Sequence, residues 1–161
     1  MLYAILVLAS MLISNSVQMD SERSSNFATM GNGAEIYLKS NSRTVSAGSS
    51  IRLRVLLTNR SADTMQFDLK SDFRTFGLEI RDSSGKIIQP AFTPDEGFAG
   101  SIRQRDLAPH QSHDFSGSSG TPISKWGYVL SSAGTFEFRV FYLDPKRSKH
   151  YSNAVSIRVS D

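Results

Sequence analysis

The residue types able to ligate a metal gather most densely at His110-Gln111-Ser112-His113-Asp114. A bound metal wants three or four ligands, and side chains three apart on a strand face opposite ways. Only a turn would let the two imidazoles converge, and His150, the last of the three histidines, falls in a different loop. The pair therefore reads as exposed polar loop residues. Asp95 and Glu96 are adjacent carboxylates inside Pro90–Gly100, an irregular loop with two prolines and two glycines. Acid–base pairs must flank a substrate from rigid positions, so these two read as loop solvation. Serine is plentiful, but no Gly-x-Ser-x-Gly elbow singles one out as a nucleophile. Cysteine is absent, which excludes thiol catalysis, Cys-type zinc sites and blue-copper electron transfer. The chain is expected to be no enzyme and to need no cofactor.

Binding chemistry has better candidates, all on loops. Pro90–Gly100 offers Phe92, Asp95, Glu96 and Phe98; Gly117–Lys125 leads to Trp126; Asp144–His150 carries Lys146 and Arg147 in a local basic cluster that reads as a hairpin tip. Trp126 has two readings, core or cover for a sheet edge, and a rim aromatic for a ligand. Tyr37 and Phe141 fall on the solvent phase of their strands, where aromatics mark a partner surface or a sugar platform, or simply pair across strands. Asn59-Arg60-Ser61 matches a glycosylation sequon and reads as turn chemistry.

The elements that must carry these loops are strands. Ile51, Leu53, Val55 and Leu57 share one face of Ser50–Thr58 while Arg52, Arg54 and Thr58 share the other. Phe136, Phe138, Val140 and Tyr142 repeat the pattern against Glu137 and Arg139. A period of two marks a strand with one dry face. Further strands are expected at Ala34–Lys39, Thr64–Leu69, Phe76–Arg81, Lys86–Gln89, Ser101–Leu107, Ser112–Phe115 and Ser152–Val159, with Asp82-Ser83-Ser84-Gly85 turning one hairpin. Seven to nine strands and no helix longer than a turn predict an all-β, immunoglobulin-like antiparallel β-sandwich, held without a disulfide.

The chain has 161 residues and a formal charge of +3, room for one domain and a tail. Its arginines alternate with strand apolars instead of forming a basic patch, so no nucleic-acid partner is expected. Met1–Ile13 is an unbroken apolar run, too short to span a bilayer and suited to the h-region of a signal. Ser14-Asn15-Ser16 supplies a small-x-small cleavage pattern, although no Lys or Arg precedes the run. The alternative is an N-terminal strand or an uncleaved anchor. The expected organisation is a signal peptide at residues 1–16, a Ser/Asn/Gly-rich tether at 17–33 and the sandwich at 34–161. The protein would then be secreted or periplasmic, with no stable membrane anchor after cleavage.

Two resemblances bear on this fold. Tyr128 to Val140 resembles the tyrosine-corner approach to the F strand of immunoglobulin-like domains, with Phe136 where that family places Tyr, which implies a corner held by packing. Leu57-Thr58-Asn59-Arg60-Ser61, Phe67, Leu69, Ser71, Leu78-Glu79-Ile80-Arg81-Asp82 and Gly85-Lys86-Ile87 resemble bacterial sandwich domains of the BsuPI type. Leu107-Ala108-Pro109-His110-Gln111-Ser112 and Gly134-Thr135-Phe136 follow in that family's order. The chain departs from it in its export signal, in the Pro90–Gly100 insertion and in His110, where Gly is usual. BsuPI-type domains are named for an intracellular proteinase inhibitor, so the resemblance implies a loop entering a protease cleft. The expected function is a non-catalytic module that binds a protein or cell-envelope component through its loops, with proteinase inhibition as the alternative.

Overall fold

The structure, a computed structural model, describes residues 33–69, 75–93, 103–143 and 146–161. The expected signal at 1–16 and nearly all of the 17–33 tether lie outside the described residues. The strands in chain order are β1 (Ala34–Ser40), β2 (Thr44–Ser46), β3 (Arg52–Asn59), β4 (Met65–Leu69), β5 (Phe76–Arg81), β6 (Ile87–Ile88), β7 (Arg103–Leu107), β8 (Ser112–Asp114), β9 (Thr121–Pro122), β10 (Gly134–Leu143), β11 (Lys149–Tyr151) and β12 (Val155–Ser160). A 3-10 turn, Ile123–Trp126, interrupts them.

Alternation builds the two principal strands as expected. On β3, Leu53, Val55 and Leu57 are buried between the half-exposed Arg52, Arg54 and Leu56. On β10, Phe136, Phe138 and Val140 point inward while Glu137 and Arg139 point out. Around β3 the first sheet assembles, with β1 on one flank and β8 and β9 on the other. Around β10 the second assembles in the order β2-β12-β10-β5-β6, with β11 also on β10. The sheets pack face to face as an immunoglobulin-like sandwich. Its dry interior is Ile36, Leu38, Leu53, Val55 and Leu57 against Ile80, Phe138, Val140 and Ile157, all at most 1% exposed. Each such side chain contributes roughly 1.5–3 kcal/mol by leaving water.

The first strand splits between the sheets. β1 runs antiparallel to β3, then the chain crosses and β2 pairs in parallel with β12. Asn153 ties the layers at that side: its amide donates to the Leu38 carbonyl at 3.0 Å and accepts the Leu38 N–H at 2.7 Å. This closes an edge of β1 that would otherwise invite another strand. The Asp82–Gly85 hairpin forms as expected, with the Asp82 carboxylate accepting from the Ser84 and Lys86 amides.

Among the described residues there are twelve strands where seven to nine are expected. The additions, β2, β9 and β11, are two or three residues long, too short for alternation to register. The basic cluster at 146–150 does sit at a hairpin tip, with Lys149 and His150 already in the ladder opposite Leu143 and Tyr142.

Candidate functional site

The structure sorts the loop candidates into distinct fates. Trp126 is buried at 7% exposure, and its indole N–H donates to the Phe76 carbonyl at 2.7 Å. Two residues on, the buried Tyr128 hydroxyl donates to the Leu78 carbonyl at 3.0 Å. β6 reaches only Ile80 and Arg81 on β5, so these two side chains satisfy carbonyls that no strand covers. Trp126 is thus sheet-edge cover and has no face left for a ligand; the rim reading is corrected. Burial, then the Glu79 charge, pushes the Tyr128 hydroxyl above its ordinary pKa, keeping it a neutral donor. Phe136 is buried as the corner resemblance implied, and Tyr128 supplies a hydroxyl-to-backbone bond of its own.

Phe92 is exposed at 49%, on a segment clamped at its root. The Ala91 amide donates to the Gly127 carbonyl at 2.8 Å. Gly127 has φ +83°, and a Cβ there would come within 2.1 Å of the Phe92 carbonyl oxygen, so only glycine permits the approach. Lys146 and Arg147 are exposed on the turn between β10 and β11. Tyr142 on β10 stands opposite Phe76, the residue Trp126 caps, so the hairpin and the Trp126 segment attach at the same end of β5. Asp95, Glu96 and Phe98 lie outside the described residues.

His110 occupies a turn at φ +60°, in the left-handed region that glycine enters at no steric cost. His113 lies on β8 with its ring edge-on to Phe115, 4.7 Å between centroids. Among the described residues no three His, Cys, Asp or Glu side chains gather as a metal would need. Asn59 of the sequon is fully buried. Its amide donates to the carbonyls of Asp63, Leu107 and Ala108 and accepts from Ser61, so it is turn chemistry and offers no nitrogen to a glycan. A shallow cleft of about 180 Å³ lies between Ser49, Ser50, Ser124 and Val129.

Sequence reasoning missed a cluster on the outer face of the second sheet. Phe141 leans across the sheet so that its ring tip fills the place where a Gly77 Cβ would stand, 2.2 Å from Cζ. Tyr151 packs beside it with centroids 5.6 Å apart. The Lys149 ammonium sits 4.2 Å from the Phe141 centroid and 6.0 Å from that of Tyr151, a cation–π arrangement worth about 0.5–1 kcal/mol at an exposed site. Next to the rings, Arg81 and Glu79 pair at 2.9 Å, and so do Arg139 and Glu137. The register sets Arg81 against Glu137 and Glu79 against Arg139, so the four charges alternate in both directions. Burial raises the Glu79 pKa, but hydrogen bonds from Arg81 and Tyr151 with the charges of Arg81 and Lys149 outweigh it, holding the carboxyl below the ordinary glutamate range. Tyr151 moves up, through burial and its 3.0 Å bond to Glu79. The available signal was the phase of Lys149 and Tyr151, which matches that of Phe141 once the two strands are paired.

No family model matches the chain. No curated protein matches it either. Similar solved structures include the CARDB domain of a Pyrococcus furiosus protein in complex with di-metal ions, 8% identical, covering 87% of this chain and 98% of that one with a TM-score of 0.42. Another is the C-terminal domain of Wzt, 9% identical, with 86% and 80% covered and a TM-score of 0.48. A β-glucosidase from Erythrobacter marinus is 13% identical with a TM-score of 0.40; 78% of this chain matches 15% of that one. These likenesses concern fold alone.

Proposed function

We propose that the chain is an exported, non-catalytic immunoglobulin-like module that binds a protein or cell-envelope component through its loops. The observation that carries the reading is Phe92, an exposed aromatic on a loop rooted by the Gly127 clamp. A loop with a fixed root loses little conformational freedom on binding, and an aromatic supplies contact area at low entropic cost. Lys146 and Arg147, rooted at the same end of β5, add charge. Export rests on the Met1–Ile13 run and Ser14-Asn15-Ser16, and predicts a mature chain beginning at Val17 in secreted or periplasmic material. The test is capture from envelope extract by the immobilised protein, with Phe92→Ala and a Lys146→Glu/Arg147→Glu variant as controls. Capture by wild type that falls at least fivefold in either variant supports the reading; equal capture by all three removes the loops from it.

The second reading is a proteinase inhibitor of the BsuPI type, favoured by the same rooted Phe92 loop. An inhibitory loop must resist rearrangement in the protease cleft, and the Gly127 clamp fixes the backbone at Ala91 and Phe92. Incubation with serine, cysteine and metallo-proteases decides it: no slowing of any protease discards the inhibitor.

A further inference from the structure

We infer that the outer face of the β10/β11 hairpin is a docking surface for an acidic glycan, with the Phe141 ring meeting the sugar and Lys149 its carboxylate. The inference rests on the binding-module reading and moves the contact from the loops to a sheet face. Three observations carry it. The first is the leaning Phe141 ring, held down by the missing Gly77 side chain and flanked by Tyr151. Together they give a low aromatic surface, where an inserting residue would stand up from the sheet. The electron-rich face of such a ring attracts the weakly positive C–H face of a pyranose.

The second is charge. The tile of Glu79, Arg81, Glu137 and Arg139 is self-neutralised, whereas Lys146, Arg147 and Lys149 are exposed and the 146–151 segment contains no acid. The surplus beside the rings is therefore positive and complements an anion. Lys149 already occupies the ring face as an internal cation. A uronate draws its ammonium to the carboxylate and leaves the π-face to the sugar ring, so one flexible side chain couples acid recognition to stacking.

The third concerns the rival occupant. Phe141 is paired on both flanks, to Gly77 of β5 and Tyr151 of β11. At β10 an extended acidic peptide finds no open backbone ladder, which strand addition requires, and the outer edge of β11 is only three residues long.

The experiment titrates the full chain with polygalacturonate, alginate and hyaluronate, alongside dextran, poly-glutamate and phosphatidylglycerol vesicles. Binding of at least one uronate polymer is expected, at least tenfold weaker for Phe141→Ala. Lys149→Gln should erase the preference over dextran at unchanged melting temperature. Failure to bind any of the three polymers overturns the inference. So does equally tight retention by poly-glutamate, an acidic-polymer surface, or by vesicles, a lipid surface. Wild-type binding by both variants also overturns it; Lys149→Gln is a surface change and keeps the test readable should Phe141→Ala fold poorly. Phe92→Ala separates the two readings: envelope capture lost there but kept in the Phe141 and Lys149 variants leaves the loop module standing without the glycan face.

Discussion

The outer faces of the two sheets use the same residue types for different ends. On the first sheet the charges lash loops down. Arg54 pairs with Asp114 of β8, Arg52 donates to the Ser119 and Gly120 carbonyls at 2.7 Å, and Arg60 pairs with the buried Glu35. Burial raises the Asp114 pKa, but Arg54 and the Ser116 amide lower it further, so the carboxyl stays ionised well into acid. On the second sheet Arg81 and Arg139 each pair with the glutamate two positions earlier on the same strand, and Arg81 reaches only the adjacent turn, the Gly85 carbonyl at 3.5 Å. They frame Phe141, Tyr151 and Lys149 instead. One face is a fastening and the other a surface: a charge bonded to a distant loop's backbone is structural, while a ladder that neutralises itself leaves its neighbours free to meet a partner.

The contrast should appear in stability measurements. The largest effect belongs to the first sheet: Asn59→Ala strands the buried Leu107 carbonyl and the partly buried carbonyls of Ala108 and Asp63 and should cost about 3 kcal/mol, at about 1–3 kcal/mol for each buried group left unpaired, read by urea denaturation. Gly127→Ala forces a left-handed non-glycine residue and a clash with the Phe92 carbonyl, and should cost about 2–3 kcal/mol while changing proteolysis near Phe92. Asp114→Ala removes the Arg54 pair and the Ser116 amide contact and should cost about 1–2 kcal/mol. Its counterpart on the second sheet, Glu137→Ala, breaks an exposed pair and should stay within about 0.5 kcal/mol. Equal losses at these two positions would break the comparison.

A pH titration sharpens it. The folded pKa of Glu79 lies below its ordinary value, so its contribution is complete above the unfolded glutamate pKa and is lost as pH falls through the folded one. Asp114 follows the same sign in its own, lower window. Glu79→Gln should flatten the acid limb of the stability profile from the ordinary glutamate range downward; an unaltered profile would deny Glu79 its role. Smallest is Phe141→Ala, expected to shift stability by under about 1 kcal/mol because its ring covers a glycine on the solvent side, whatever it does to binding.

Much of this architecture is legible in the residues. Leu53, Val55 and Leu57 on β3 and Phe136, Phe138 and Val140 on β10 announce their faces because burial on a pleated strand has a period of two. The Asp82–Gly85 turn is local, so its residues suffice. The candidate surface was less legible. Phe141 reads as an isolated aromatic until Gly77, 64 positions away on β5 and Tyr151 on β11 are brought beside it. Trp126 carried two readings because nothing near it in sequence says that the Phe76 carbonyl lacks a partner.

The sandwich is written into the residues: two dry faces, encoded position by position, that must close on each other to leave water. Which polar groups fasten and which remain on offer is settled by tertiary packing. That depends on registers between strands far apart in sequence, and a hydrogen bond or ring contact exists only once both partners are in place.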